Sequence, residues 1–263
     1  MKIILKKEMY DGADGTSITE DRCEKYLSLL SMTDQMGDRI VNYKYIQNHA
    51  KQLKLFPDTG NIPSAIRTIV PILSKFGFII DYNNRKSFPS CSFFTRPGKM
   101  FVYVLDAIKK QKEMDFPNQT LSQLLDRTKL LILQLGLLNM ANSFPDNKIW
   151  IIYYLMQEIG HVNSNMFFYV LYSLQNGKDV KEAINEIKQN KQIINNEYLK
   201  EDNTVLEKNP FFFRAGILRD LGLAIQKMDN NYYLTSESDI FLSQLRESIL
   251  PENKNKQYIS LLL

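Results

Sequence analysis

One order of secondary-structure signals occurs twice in this chain of 263 residues, and it constrains the fold more than any other feature. In the first copy, apolar residues at helical spacing over 65–76 end at Gly77. A strand-like run follows at 78–82, then a turn of Asn, Arg and Lys at 83–86 and a second strand at 92–95. A helix that passes through a glycine into a β-hairpin is typical of the winged form of the helix-turn-helix.

The second copy begins with a helix from Asn209 that ends at Gly222. Short strands at 223–225 and 232–234 flank an Asp-Asn-Asn turn at 229–231. The two copies together predict tandem winged-helix, or helix-turn-helix, units.

Most of the remaining signals are helical. A buried helix from Trp150 ends at Gly160, and Asn163 or Ser164 can cap the helix that follows. The stretch 178–196 is polar and charged, which favours an exposed helix.

We therefore predict a mainly α chain with small β-hairpins (α+β). The length suggests roughly two domains, or one large one. We expect an N-terminal one over 1–115 that contains the first winged helix, and a second over 116–263.

The distribution of charge is more informative than the net charge of +4. Between Thr59 and Leu105 a single acid, Asp81, stands against six Lys or Arg residues. A local excess of cations is expected of a surface that binds phosphates, although a basic surface that only contacts solvent would give the same pattern.

Other classes of protein are disfavoured. No apolar run approaches the roughly 18 residues that span a membrane, and the charged N-terminus does not resemble a signal peptide. Two histidines and two cysteines, far apart in sequence, do not suggest a zinc site. We expect a cytoplasmic protein without membrane association.

DNA readout uses Arg, Lys, Asn and Gln on a helix that enters a groove, and cations on the wing that hold phosphates. Residues of these types, with one serine, occur on both predicted helices and both predicted hairpins. Each could also be an ordinary polar residue of an amphipathic element. The candidate DNA-binding residues are Asn61, Ser64, Arg67, Asn84, Arg85, Lys86, Arg96, Lys99, Arg214, Arg219, Lys227 and Asn230.

The run 65–79 resembles the first recognition unit of type IIS restriction and nicking endonucleases of the AlwI type, as does the hairpin ending Phe-Thr-Arg-Pro-Gly-Lys at 94–99. The stretch 147–171 is similar to the next helix pair of that family, and 211–223 with its hairpin resembles the second recognition unit. The resemblance covers most of residues 40–245. It implies sequence-specific recognition of a short asymmetric site in double-stranded DNA, with cleavage by a separate nuclease domain that follows the recognition region.

Nucleases of that family resemble the PD-(D/E)xK type, which holds Mg²⁺ with carboxylates on adjacent strands. The chain has Asp146 with either Asp179-Val-Lys181 or Glu186-Ile-Lys188, but the first falls in a predicted loop and the others in a predicted helix. We therefore expect no catalytic site, metal or other cofactor in this chain, and a nuclease domain or subunit with Mg²⁺ supplied elsewhere.

The function that we expect is a DNA-recognition module of a type IIS-like restriction or nicking endonuclease. One alternative is a winged-helix transcription regulator or a plasmid replication initiator, since tandem winged helices also suit those proteins. Another is a protein-interaction scaffold whose winged helices bind a protein partner.

Overall fold

The computed structural model describes residues 2–10, 22–55, 70–80, 86–143, 148–190, 192 and 195–241. These residues are mainly helical with small two-stranded sheets, which confirms the predicted α+β class. Contacts divide the chain into a middle unit, Ile18–Ser143, and a terminal unit formed by Met1–Ser17 together with Phe144–Leu263. Among the described residues, no helix has both the length and the apolarity needed to cross a membrane.

The middle unit is built from helices around one short antiparallel strand pair. Its elements are α2 (Cys23–Gln35), β2 (Ile40–Asn42), α3 (Tyr43–Gln52), α4 (described over 70–75), β3 (Ser87–Pro89), α5 (Arg96–Lys112) and α6 (Gln119–Ser143).

The terminal unit has two short strand pairs. Its elements are β1 (Lys2–Ile4), α1 (Lys7–Tyr10), α7 (Ile149–Ile159), α8 (Ser164–Gln175), α9 (Val180–Gln189), β4 (Glu197–Leu199), α10 (Asn209–Asp220), β5 (Ala224–Gln226) and β6 (Tyr232–Leu234).

The division differs from the boundary that we predicted between residues 115 and 116. α6 packs along α5 and therefore belongs to the middle unit. β1 pairs in parallel with β4, so the first residues of the chain join the terminal unit.

Each unit pairs its strands in the same way. In the middle unit, β2 lies between α2 and α3 and pairs antiparallel with β3, with Val41 opposite Phe88. In the terminal unit, Val162 lies between α7 and α8 and forms an antiparallel bridge with Tyr232 of β6. The segment between α2 and α3 thus pairs with β3 after α4, as the segment between α7 and α8 pairs with β6 after α10.

The glycine after α4 and the glycine after α10 are also held alike. Gly77 and Gly222 have φ of +72° and +73°, a left-handed conformation that glycine adopts without steric cost. The Thr95 hydroxyl donates to the Gly77 carbonyl at 2.6 Å, and the Thr235 hydroxyl donates to the Gly222 carbonyl at 2.5 Å. A threonine hydroxyl thus holds the glycine carbonyl in the same way in both units.

An asparagine caps the start of α3 in the middle unit and of α8 in the terminal unit. The Asn42 side chain accepts the Tyr45 N–H of α3, and the Asn163 side chain accepts the N–H groups of Asn165 and Met166 in α8. An N-cap of this kind contributes about 1 kcal/mol to helix stability. In both units a valine of the paired segment directly precedes the cap.

The helix predicted from Asn209 and the hairpin after it are confirmed. α10 spans Asn209–Asp220, and β5 pairs antiparallel with β6 across a turn at 227–231. The helices that end at Gly160 and begin after Asn163 are confirmed as well.

Two predictions for the middle hairpin are wrong in detail. The returning strand, β3, lies at Ser87–Pro89 rather than at 92–95, and a 3₁₀ turn at Ser90–Ser92 follows it. Of the predicted strand at 78–82, the described part bridges only through Ile79 to Phe94. Pairing with β2, which is distant in sequence, decides where the returning strand lies.

The predicted helix at 178–196 is shorter, and it is not simply exposed. Asp179 caps α9, which spans Val180–Gln189. One face of this helix buries Val180, Ala183, Ile184 and Ile187, so its apolar residues contribute to the core of the terminal unit.

Candidate nucleic-acid interface

Five of the predicted DNA-binding residues cannot be placed. Asn61, Ser64, Arg67, Asn84 and Arg85 lie outside the described residues. Their roles stay predictions.

The remaining cations of the middle unit are arranged differently from the prediction. Lys86 is exposed directly before β3. Arg96 and Lys99, which we expected behind a strand, lie in the first turn of α5 because the Thr95 side chain caps that helix by accepting the Gly98 N–H.

Lys99 already has a partner within its unit. Its ammonium group is 2.8 Å from a carboxylate oxygen of Asp34, and this hydrogen bond raises the pKa of the lysine. Arg96 is exposed. Of these two, Arg96 is therefore the better candidate for a phosphate contact.

The prediction that Arg214 reads a DNA groove is wrong. The residue is buried, with 6 % of its surface exposed. Its guanidinium donates to the Pro210 carbonyl at 2.7 Å and lies 5.9 Å from the centre of the Phe167 ring of α8. Sequence spacing could have shown this, since Arg214 stands three residues after Phe211 and four before Leu218, both of which face the core.

The exposed face of α10 consists of residues that the sequence analysis did not select, together with Arg219. Asn209 and Phe213 are exposed on it. Gly216 is buried, although a Cβ atom added there would meet nothing within 4 Å.

Arg219 keeps part of its predicted role. It is exposed, and its guanidinium contacts the neighbouring Asp220 carboxylate at 3.0 Å. An exposed ion pair of this kind is weak and exchanges readily for another anion.

The turn of the terminal hairpin is held by one carboxylate. Asp229 accepts hydrogen bonds from the backbone and the side-chain amide of Asn231, at 3.0 and 2.8 Å, and from the Tyr233 hydroxyl at 2.9 Å. Hydrogen bonds from Asn231, above all the one from its backbone, lower the pKa of Asp229 below its ordinary value. Asn230 has φ of +59°, which asparagine tolerates in turns.

The outer surface of the hairpin carries a cation on an aromatic ring. The Lys227 ammonium lies 4.2 Å from the centre of the Tyr233 ring, and the His161 ring stacks with Tyr233 at 5.8 Å. Lys227 and Asn230 are both exposed, as their predicted role requires. This surface can offer a positive charge and an amide to a partner.

Because the pKa of Asp229 is lowered, its hydrogen bonds stabilise the turn above the ordinary aspartate pKa, about pH 4, and this contribution is lost as the pH falls through the lower, folded pKa. We expect Asp229→Ala to speed hydrogen exchange of the Asn231 amide by roughly tenfold at neutral pH, since its acceptor is removed. Asp202→Ala is the matched control, because Asp202 accepts the Thr204 N–H and hydroxyl in another exposed turn of the same unit. Equal exchange in both variants would contradict this role of Asp229.

The carboxylates of the possible nuclease motif have structural partners. Asp179 caps α9, and Glu186 accepts the Tyr169 hydroxyl at 2.6 Å and the Lys178 ammonium at 2.5 Å. The hydrogen bond from Lys178 is the main reason that the pKa of Glu186 is lowered. Asp146 lies outside the described residues. Within the described part of the chain, no three His, Cys, Asp or Glu side chains gather as a metal site would require.

Comparison with known proteins gave no match. No protein-family model, curated protein or solved structure is significantly similar to the chain. The resemblance to AlwI-type endonucleases therefore stays a prediction.

Proposed function

We propose that the chain binds double-stranded DNA through two winged-helix units, one in its middle unit and one in its terminal unit. The observation that carries the proposal is the strand pairing that both units share. In the middle unit the segment between α2 and α3 pairs with β3, which follows α4; in the terminal unit the segment between α7 and α8 bridges to β6, which follows α10, and α9 and β4 come between α8 and α10. A helix–strand–helix pair followed by a glycine-ended helix and a hairpin is suited to placing that last helix in a groove, with the hairpin beside it.

In the terminal unit, α10 is the helix that enters the major groove. Asn209 can bond the edge of an adenine, and Phe213 can contact the methyl group of a thymine. Arg214 instead anchors the start of α10 to Phe167.

The hairpins hold phosphates. Lys227 supplies the charge in the terminal unit, where the Tyr233 ring supports its side chain. In the middle unit Lys86, directly before β3, and Arg96, in the first turn of α5, supply exposed charges. Contacts of this type fix the register of a protein on DNA but carry little sequence information.

The resemblance to AlwI-type enzymes makes this DNA binding the recognition step of a restriction or nicking endonuclease. A nuclease domain or subunit with Mg²⁺ would then act from outside this chain. The helical setting and the occupied hydrogen bonds of Asp179 and Glu186 support this assignment. We expect the chain alone to leave duplex DNA uncut when Mg²⁺ is added.

Fluorescence anisotropy with a labelled duplex tests the proposal. We expect affinity to fall by ~100-fold or more between 50 and 200 mM salt, as follows from roughly four to five phosphate contacts. Lys227→Gln should lower the slope of the salt dependence by about one phosphate contact. Lys188→Gln, which removes a cation of α9 that pairs with Glu158 of α7, should leave the slope unchanged. A wild-type protein that does not retain duplex DNA at low salt would favour the protein-interaction scaffold.

Selection of bound sequences from a random duplex library separates the remaining alternatives. An asymmetric site bound by a monomer supports the endonuclease module, because its two units would read different bases. A palindromic site bound by a dimer would instead support a transcription regulator or a replication initiator.

A further inference from the structure

The tip of the terminal hairpin carries an apolar side chain that is fully exposed. Met228 stands at this tip in the turn between β5 and β6. The Asn230 N–H donates to the Lys227 carbonyl at 3.0 Å, and the Lys227 N–H donates to the Asn231 carbonyl at 3.0 Å. These bonds close the turn directly around Met228.

The same turn is attached to the start of a helix. The Asn163 side-chain amide donates to the Asn231 side-chain oxygen at 3.2 Å, while the oxygen of Asn163 caps α8. Together with the bonds that Asp229 accepts, this contact fixes the turn from below. A single exposed methionine on a surface loop needs no explanation. Met228 differs because hydrogen bonds hold its turn in one conformation.

The neighbours of Met228 suit one particular surface. Lys227 offers a cation on one side and Asn230 an amide on the other, and both are exposed. The minor groove of duplex DNA has phosphates along its walls and hydrogen-bond acceptors on its floor. Proteins that bind there insert apolar side chains, methionine among them, between base steps and thereby bend the duplex.

We propose that Met228 is a wedge that enters the minor groove beside the α10 contact, partly unstacks one base step and bends the DNA. This inference depends on the proposed function, since it names what the terminal hairpin does on the duplex. Lys227 and Asn230 position the wedge through contacts with the groove walls and floor.

Energy transfer between dyes at the two ends of a selected duplex measures the bend. We expect wild-type protein to bring the ends closer, and Met228→Ala to lose at least half of that change while its affinity falls by no more than about fivefold. Met228→Phe should keep the bend, because phenylalanine is also an effective wedge. Val205→Ala is the matched control, since Val205 is an exposed apolar residue of the same unit outside the hairpin.

The outcomes separate the two proposals. If wild-type protein binds the duplex without bending it, or if Met228→Ala bends it fully, the wedge is wrong and DNA binding stands. If wild-type protein does not bind duplex DNA at all, the proposed function and the wedge both fall. Circular dichroism of each variant shows whether the fold is intact.

Discussion

Replacing Gly98 by alanine is expected to destabilise the middle unit by about 3 kcal/mol or more. A Cβ atom at this position would stand 1.8 Å from the Phe78 carbonyl oxygen and 2.6 Å from its carbon, which are backbone atoms. That carbonyl also accepts the Thr95 N–H at 3.0 Å, so it cannot move away without losing the bond that joins the hairpin to α5. Urea unfolding of the wild-type and Gly98→Ala proteins measures the difference in their free energies of unfolding.

The matched control is the same substitution at a glycine where an added Cβ atom has room. Gly216→Ala adds a Cβ atom that meets nothing within 4 Å, and we expect it to stabilise α10 by roughly 0.5–1 kcal/mol through helix propensity alone. The two alanines should thus move the unfolding midpoint in opposite directions. A Gly98→Ala protein that unfolds at the wild-type urea concentration would show that the close approach to Phe78 is absent.

The terminal hairpin was predictable because its signals are local. The turn at 229–231 stands between two short strands, and Asn230 takes the left-handed conformation that such turns need. The returning strand of the middle hairpin was misplaced because its partner is remote. β3 pairs with β2, so that Val41 lies opposite Phe88, and nothing near Ser87 in the sequence announces that pairing.

The predicted domain boundary differs from the division by contacts for a related reason. β1 and β4 are parallel, with Ile3 opposite Tyr198, and a parallel pair needs a long connection between its strands. Three-residue strands so far apart in sequence give no periodic signal, although they attach the start of the chain to the terminal unit.

Within the candidate site, charge misled the prediction. Arginine is usually exposed, yet Arg214 lies among core positions of α10 because Phe167 of α8 receives its guanidinium. The residues that do face outward on α10 include Phe213, an aromatic residue that residue-type reasoning assigns to a core. The burial of each residue in the structure is what distinguishes the core face of α10 from its outer face.

The substitution with the largest expected effect on DNA binding is Phe213→Glu. Phe213 is exposed on α10, and glutamate is a good helix former, so folding stability should change by less than about 2 kcal/mol. If this face of α10 lies in the major groove, a carboxylate there meets the negative charge of the DNA. Like charges brought together at an interface cost several kcal/mol, which predicts an affinity loss of ~100-fold or more by anisotropy.

Asn185→Glu is the matched control, because it adds the same charge at an exposed position of α9 in the same unit. Its affinity for duplex DNA should fall by no more than about threefold, since general repulsion between exposed charges is largely screened beyond about 10 Å at 0.1 M salt. Phe213→Ala distinguishes loss of the ring from added charge: an intermediate loss of affinity means that DNA contacts the Phe213 side chain. Should Phe213→Glu and Asn185→Glu bind DNA equally well, α10 does not enter the groove, and the reading helix must be sought in the middle unit.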